Sequence, residues 1–340
     1  MILEEIDFGP STTCPYEVGS VLTVWHAAGS LQRSDDKSQV VRVKIKKLQQ
    51  PWTLSCCMVV DILSDSLDIV RKTAFLKLFD WRFAAQQRSD QGVNPWSEKS
   101  AVEYAEFVVG GGAEEFLDQL KASQHEETEE DWDPCQDETF LVHQARTMYN
   151  NETTVYSRLQ ALQGRTVPRL MGAVEIDITP PGMDGDKFGE LFKVQGILVE
   201  YFPDSFTLRD IGTMVPTEDL QEVVDQAVEI ARSLGDYEVL DTDVRLDNFL
   251  VTTQRGNADK NDKDLPRQTY RVVMLDFAQS RVRREDESDF DWGRAKVQQD
   301  EEGAVGMVIR HHLSKLGKHV SYKPSGRYEE FAEGESEDEQ

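Results

Sequence analysis

The stretch "YEVLDTDVRLDNFLV" (residues 237–251) places acidic side chains and one carboxamide between two apolar pieces. Asp243 and Asn248 stand five residues apart in it, and a second apolar piece, "YRVVMLDFA", contains Asp276 near its end. Short apolar runs bounded by polar residues are typical of buried strands. If the run before Asp243 pairs as a hairpin with the run before Asp276, the three polar side chains meet at one edge.

These residue types suit phosphoryl transfer. A carboxylate and a carboxamide oxygen in one cleft, as from Asp276 and Asn248, form a hard-oxygen site that suits Mg²⁺. A separate carboxylate, Asp243, can accept the proton of a hydroxyl group. Phosphoryl transfer needs little more from a protein than positioning and charge neutralisation. The alternative is a solvated turn rich in Asp and Asn, but a turn does not need both residues within a strand–loop–strand frame.

Strands that could support such a site begin in the first half of the chain. Val41, Val43 and Ile45 alternate with basic residues, which predicts a strand with one wet face. The pieces "WTLSCCMVVDIL" and "TAFLKLF" predict two more strands, and the short connections favour an antiparallel meander. A short strand is also predicted at residues 21–28, and a strand pair around the loop "TPPGMDGD".

Helical periodicity marks the segments between and after these strands. Apolar stripes predict helices at residues 113–122, 151–164 and 217–235, and a buried helix in "QQDEEGAVGMVIRHHL". In this last helix, Asp300 or Glu301 could brace the Asp243 loop from beneath. The mixed-charge run at residues 281–292 predicts a solvated linker.

The net charge of −26 limits the partners. It argues against nucleic acid and anionic membranes, since both would be repelled. A hydrophobic content of 39% predicts a globular chain. The four cysteines form no CxxC pair, and neither a signal peptide nor a membrane span is expected. Together these features predict an intracellular protein, cytoplasmic or nuclear.

Five pieces of the chain resemble the motifs of protein kinases, in the family's order. The piece "DTDVRLDN" is similar to the catalytic loop H-R-D-x-x-x-x-N, and "LDFA" to the metal-binding D-F-G. "AFLK" resembles V-A-I-K of the third strand, "ETTVYSRLQALQG" the C-helix, and "GILVEYF" the hinge. The pieces "NETTVYSRLQALQGRTVP", "DVRLDNFLV" and "QDEEGAVG" most resemble the protein kinase-like domain proteins of filamentous fungi, and the resemblance covers about residues 40–316.

The resemblance implies roles for individual residues. Lys77 would hold the α- and β-phosphates of ATP, and Glu152 would orient Lys77. Asp243 would be the catalytic base, while Asn248 and Asp276 would hold Mg²⁺. The simpler alternatives are a strand lysine that reaches water and a glutamate that complements a helix N-terminus.

The hinge and the catalytic loop carry further implied roles. At the hinge, the backbone groups of Glu200, Tyr201 and Phe202 would face adenine. Arg245 stands where serine/threonine kinases often carry a lysine, and its guanidinium could neutralise charge on the transferred phosphate. The implied cofactors are ATP and Mg²⁺, and the phosphoacceptor is a protein or small-molecule hydroxyl.

The implied fold is α+β and bilobal. A small antiparallel-sheet N-lobe with a C-helix precedes a compact, truncated, mostly helical C-lobe. The domain division is an N-terminal extension (1–39), an N-lobe (40–201) with a partly ordered acidic insertion (about 81–148), a C-lobe (202–320) and an acidic disordered tail (321–340).

Several departures from the family pattern keep other functions open. The first hairpin turn, "LQQPWT", has no glycine, and Asp241 and Thr242 replace the His and Arg of the catalytic loop. The missing glycines favour a pseudokinase, which would bind nucleotide or act as a scaffold. No A-P-E motif follows Asp276, which favours a small-molecule acceptor over a peptide. A purely acidic interaction protein is the remaining alternative, and the predicted core opposes it.

Overall fold

The computed structural model describes residues 14–28, 38–63, 72–122, 132–255 and 268–332. The chain divides into two compact units. The first comprises Met1–Asn150 and Leu170–Tyr201, and the second comprises Asn151–Arg169 and Phe202–Gln340. Helices and strands are both abundant, so the α+β prediction is confirmed in this coarse form.

The first unit contains a closed six-stranded barrel of antiparallel pairs, in the order β1-β2-β3-β4-β6-β5. Its strands are β1 (Val21–Ala28), β2 (Ser38–Leu48), β3 (Cys56–Ile62), β4 (Thr73–Leu78), β5 (Leu170–Asp177) and β6 (Lys193–Glu200). The predicted alternation in β2 is confirmed, because Val41, Val43 and Ile45 are buried and the basic residues between them are exposed. The predicted antiparallel meander is confirmed for β2, β3 and β4. The barrel closes because β1 pairs with both β2 and β5. The predicted N-terminal extension therefore contains a barrel strand, which leaves no free sheet edge there.

The predicted acidic insertion is largely helical. It contains α1 (Ala85–Asp90), α2 (Glu98–Val109), α3 (Gly112–Ala122) and the start of α4 (Pro134–Arg158), while residues 123–131 lie outside the described residues. The helix predicted at residues 113–122 is confirmed by α3. Trp81 and Tyr104 are almost fully buried, and Arg88 forms a buried ion pair with Glu138. The segment therefore contains buried side chains, and Tyr104 packs against Phe192 outside it.

Helix α4 begins well before the predicted start at residue 151. Asp133 Oδ1 accepts hydrogen bonds from the Cys135 and Gln136 amides, and Pro134 occupies the first helical position. An aspartate cap followed by proline is a standard helix start. This helix start was not predicted, because the run of acids around it is typical of a solvated segment.

The second unit combines short sheets with helices. Its strands are β7 (Phe206–Thr207), β8 (Val239–Asp241), β9 (Phe249–Arg255), β10 (Gln268–Met274) and β11 (Ser280–Val282). Two short helices, α5 (Gly185–Phe188) in the first unit and α6 (Ile211–Met214) in the second, precede the longer α7 (Leu220–Leu234), α8 (Asp289–Gln299) and α9 (Glu301–Lys315). The helix predicted at residues 217–235 corresponds to a 3₁₀ turn at Thr217–Asp219 followed by α7, whose apolar stripe is buried.

The predicted hairpin is wrong, because each of its two strands pairs with a different strand. The strand before Asp243, β8, pairs with β11, and the strand before Asp276, β10, pairs with β9. The predicted linker at residues 281–292 is also ordered. Half of it belongs to β11 and α8, and its Glu287 is buried in an ion pair with Arg281. Charge pattern alone did not show that Glu287 has a fixed partner.

Part of the predicted disordered tail is folded onto the second unit. Residues 318–332, called the C-terminal strap below, contact α7, α8 and the start of α9. Residues 333–340 lie outside the described residues. Among the helices of the described ranges, none combines the length and the apolar character needed to cross a membrane.

Candidate functional site

Two loops of the second unit are held side by side by backbone pairing. β8 leads into the Asp243 loop, and β11 leaves the Asp276 loop, so the β8–β11 pair fixes the start of one against the end of the other. The Thr242 hydroxyl donates a hydrogen bond to Gln279 O at 2.6 Å, and the Thr242 amide donates to the same oxygen at 3.4 Å. Asp243 and Asp276 are thus brought together by a different sheet from the predicted one.

Asn248 connects the two loops at their other ends. Its side-chain Nδ2 donates to Asp243 O at 2.9 Å, and the Leu275 amide donates to Asn248 O at 2.7 Å. Asn248 is only 7% exposed. Because Nδ2 is used within the loop, the carboxamide is held in one orientation, with its oxygen as the remaining ligand atom.

Asp276 has a left-handed backbone, with φ of 64°. Non-glycine residues seldom adopt this conformation, and such residues cluster at functional sites. The Asp276 Oδ1 atom accepts a 3.4 Å hydrogen bond from the Ala278 amide.

Asp243 is a partly buried carboxylate. Burial raises its pKa, the Arg245 guanidinium lowers it, and the negative charge of Asp276 raises it. Arg245 Nη2 lies 2.5 Å from Asp243 Oδ2, so the predicted phosphate-facing arginine is paired with the predicted base. Half of the Arg245 side chain is exposed to solvent.

Asp241 lies beneath this loop and is fully buried. Its Oδ1 accepts a 3.0 Å hydrogen bond from the Asp243 amide, whereas Oδ2 has no hydrogen-bond partner within the described parts of the chain. The pKa of Asp241 is raised to about 7, chiefly by burial and also by the charges of Glu301 and Asp276, while the Asp243 amide and the nearby Ser280 hydroxyl act to lower it. Asp241 is therefore poised between its neutral and charged forms near neutral pH.

Glu301, one of the two residues predicted to brace the loop, lies under Asp241. Its Oε1 accepts a 2.7 Å hydrogen bond from the Asp241 amide. Asp300, the other candidate, instead accepts a hydrogen bond from the Gly303 amide and caps α9. The Glu301 Oε2 atom is paired with buried Lys296.

The end of α4 contacts the Asp276 loop. The Tyr156 ring meets Phe277 edge-on at 5.6 Å, and Asn151 Nδ2 donates to Ala278 O at 3.3 Å. Burial raises the pKa of Tyr156, and so do the charges of Glu152 and Asp276. Glu152 is 2% exposed, so it belongs to the same buried region of the second unit.

The other predicted residues belong to the first unit, except Phe202. Lys77 is buried on β4, between Cys57 of β3 and Ile197 of β6 in register, with Nζ 5.1 Å from the Phe79 ring centroid. Glu200 ends β6 and Tyr201 ends the unit, while Phe202 begins the next stretch of the second unit. The pairing of Lys77 with Glu152 stays a prediction.

No protein-family model and no curated protein matches the chain. The solved structures similar to it include two at 12% identity. One is the Rio2 kinase from Chaetomium thermophilum, in an ADP/Mg²⁺-phosphoaspartate complex, with a TM-score of 0.44 over 84% of this chain and 61% of that one. The other is the BubR1 kinase domain, with a TM-score of 0.34 over 77% of this chain and 53% of that one. The chain spans less than two thirds of either structure, and likenesses at these TM-scores decide nothing about function.

Lys296 was not predicted as part of the site. It lies on α8, between the predicted linker at residues 281–292 and the predicted buried helix. Its signal was the spacing from Trp292, since residues four apart share a helix face. Only the tertiary structure shows that this face is turned towards β8.

Proposed function

We propose that the chain is an ATP- and Mg²⁺-dependent phosphotransferase, as its resemblance to protein kinases implies. One observation carries the proposal: Asn248 bonds through its side chain to Asp243 and through its backbone to Leu275, the neighbour of Asp276. A carboxylate and an oriented amide oxygen can hold Mg²⁺, which neutralises the charge of the phosphates, and a second carboxylate can position the acceptor hydroxyl. The transfer would go to a protein or small-molecule hydroxyl.

Asp243 is the proposed base. Burial raises its pKa, which makes the carboxylate a better proton acceptor than a free aspartate. Arg245 opposes this shift while it is paired with Asp243. When Arg245 turns towards a phosphate, the carboxylate regains basicity and the guanidinium stabilises the negative charge.

Asn248 and Asp276 are the proposed metal ligands. Within the described ranges, no group of three or more His, Cys, Asp or Glu side chains is arranged to hold a metal ion. A carboxylate and an amide oxygen nevertheless fit Mg²⁺, which keeps several waters and takes substrate phosphates as its other ligands. The ion would supply charge neutralisation at the phosphates, and these two residues would fix its place beside Asp243.

Lys77, Glu152 and the hinge complete the proposed nucleotide site. Lys77 would hold the α- and β-phosphates, and Glu152 would orient it. Glu200, Tyr201 and Phe202 would offer backbone groups to adenine.

The second candidate function is a nucleotide-binding or scaffolding pseudokinase. The ion pair between Arg245 and Asp243 favours a pseudokinase, because the carboxylate of the proposed base is already engaged by the guanidinium. The turn between β2 and β3 also lacks glycine, so its amides approach phosphates less closely.

Nucleotide binding separates these functions. We expect ATP with Mg²⁺ to raise the unfolding free energy by about 2.7 kcal/mol at a ligand concentration of roughly 100 times Kd. Asp276→Asn should remove most of the effect of Mg²⁺, measured as thermal shifts with and without the ion. The matched control is Asp286→Asn, since Asp286 is an exposed acid in the same unit.

The outcomes are distinct. No shift with ATP in either condition supports a scaffold that does not bind nucleotide. A shift that is the same with and without Mg²⁺ contradicts the assignment of Asn248 and Asp276. If the Asp276 and Asp286 variants lose the Mg²⁺-dependent shift equally, the shift depends on the overall negative charge and not on a specific metal site.

A further inference from the structure

Lys296 is a buried cation with two hydrogen-bonded partners. Its side chain is 4% exposed, and its Nζ donates to Val239 O at 3.0 Å and to Glu301 Oε2. Two aromatic rings flank the ammonium, with centroids 5.6 Å away for Trp292 and 5.9 Å away for Tyr328. The group is thus enclosed by one backbone carbonyl, one carboxylate and two ring faces.

Both partners of Lys296 lead to the same three-residue strand. Val239 begins β8, and Glu301 receives the amide of Asp241, which ends it. Asp241 Oδ1 then receives the amide of Asp243 at 3.0 Å. An unbroken series of hydrogen bonds therefore runs from the Lys296 ammonium to the backbone of Asp243.

A purely structural role is the simpler explanation, but the bonding pattern goes beyond it. Buried ion pairs add little net stability compared with apolar residues of the same size. Burial lowers the pKa of Lys296 and raises that of Glu301, and each charge offsets the shift of the other. A pair this costly to bury is better explained by the geometry it fixes.

The C-terminal strap covers Lys296 from outside. Tyr328, in the strap, supplies one of the two flanking rings. Nearby strap contacts hold that ring in place: Arg327 pairs with Asp236 at 2.6 Å, and the Ser325 amide donates to Glu302 at 2.9 Å. The strap also lines a cavity of about 310 Å³, whose lining includes Lys296 and Glu301.

We propose that Lys296 is a positioning residue for Asp243, and that the C-terminal strap keeps it in place through Tyr328. Lys296 acts through Glu301 and Val239 on the backbone of the loop, without touching a substrate. Its effect on turnover rests on the proposed function, whereas its effect on loop geometry does not.

The first test measures loop geometry without requiring activity. In Lys296→Met, we expect the Asp241 and Asp243 amides to exchange hydrogen about tenfold faster than in the wild type. The Met274 amide, which donates to Thr166 O at 2.8 Å in the same unit, serves as reference for general unfolding. Arg88→Met is the matched control, since Arg88 and Glu138 form an equally buried ion pair in the first unit.

These results decide between positioning and mere stability. Faster exchange at Asp241 and Asp243, with Met274 unchanged, supports the proposal. Equal acceleration at all three amides, or none in Lys296→Met, overturns it. The proposal is also overturned if Arg88→Met accelerates exchange of the loop amides as much as Lys296→Met does.

The strap is tested by Tyr328→Leu, which removes the ring but leaves the ion pair. We expect the same two amides to exchange faster, by a smaller factor than in Lys296→Met. Unchanged exchange at both amides overturns the role of the strap.

The second test measures turnover. In Lys296→Met, kcat should fall by about a hundredfold, as expected for a displaced catalytic group, while KM for ATP stays within about threefold. A rise in KM for ATP with kcat unchanged overturns the positioning role. If the wild type itself transfers no phosphate, the proposed function fails, and the exchange measurements still decide the role of Lys296.

Discussion

At the scale of single residues, Asp241 is the most unusual feature of the second unit. It is fully buried, one of its oxygens has no hydrogen-bond partner within the described residues, and its pKa is raised to about 7 by burial. A raised carboxyl pKa means that the folded state binds the proton more tightly than the unfolded state does. The folded protein therefore loses stability as the carboxyl ionises.

This gives a pH prediction for Asp241→Asn. Below the unfolded pKa of 3.8 the wild-type carboxyl is neutral in both states, and above about 7 it is charged in both. As the pH rises from 3.8 to 7, the unfolding free energy of the wild type should therefore decrease relative to that of Asp241→Asn. The difference should reach up to about 4 kcal/mol at pH 8. Denaturant unfolding of both proteins from pH 5 to 8, in metal-free buffer, measures the difference.

Asp247→Asn provides the control with the opposite sign. The Arg209 guanidinium lowers the pKa of Asp247, so the wild-type acid adds stability that is lost only as the pH falls through that lowered value. This variant should be slightly less stable than the wild type at neutral pH. A difference for Asp241→Asn that does not change with pH would contradict the account of Asp241.

Some residues of the site were predictable and others were not. Asp243, Asn248 and Asp276 stand at spacings that the sequence shows directly. The role of Asp241 depends on burial, and that of Lys296 on which helix face meets β8. Neither quantity is local in sequence, so composition and spacing could not reveal them.

At the scale of elements, α9 and the C-terminal strap depend on each other. Gly306 lies in α9, where an added Cβ would lie 2.2 Å from a ring carbon of Tyr322 in the strap. The Arg232 guanidinium joins Glu302 of α9 to the strap carbonyl of Lys323. The strap therefore packs on the helix that carries Glu301.

Gly306→Ala tests this packing, because the packing determines whether the substitution raises or lowers the free energy of unfolding. Alanine favours a helix over glycine by about 1 kcal/mol, so an uncovered α9 would be stabilised. The clash with Tyr322 should instead destabilise the protein by about 1–3 kcal/mol. In a Tyr322→Ala background the same substitution should become stabilising. Denaturant unfolding of the four proteins measures both effects, and stabilisation in the wild-type background would contradict the packing.

The elements themselves were predicted unevenly. The alternation at Val41, Val43 and Ile45 predicted β2, because one face of that strand is buried and the other is wet. The pairing of β8 with β11 was missed, because an apolar run does not say which other run it meets. The start of α4 was missed because Asp133 and Pro134 lie in a run of acids whose net charge suggested a solvated segment.

At the scale of the whole molecule, the net charge of −26 is the dominant feature. Self-repulsion of this size destabilises the compact state, and salt screens it. We expect the unfolding free energy at pH 7.5 to rise by about 1 kcal/mol, or roughly 1–2 °C in Tm, between 50 and 500 mM NaCl. The rise should shrink near pH 4.5, where many carboxylates are protonated. A fall in Tm with salt at pH 7.5 would mean that specific ion pairs outweigh the repulsion.

The central claim is that Asp243 serves as the base in Mg²⁺-dependent phosphoryl transfer. It is tested most directly by single-turnover transfer from γ-labelled ATP, with water, peptide panels and metabolite panels as acceptors. The wild type should transfer phosphate only with Mg²⁺, Asp243→Asn should be slower by about 10²–10⁴-fold, and Asp247→Asn, in the same loop but paired at the surface with Arg209, should match the wild type. Transfer by Asp243→Asn at the wild-type rate, or none by the wild type to any acceptor, would contradict the claim.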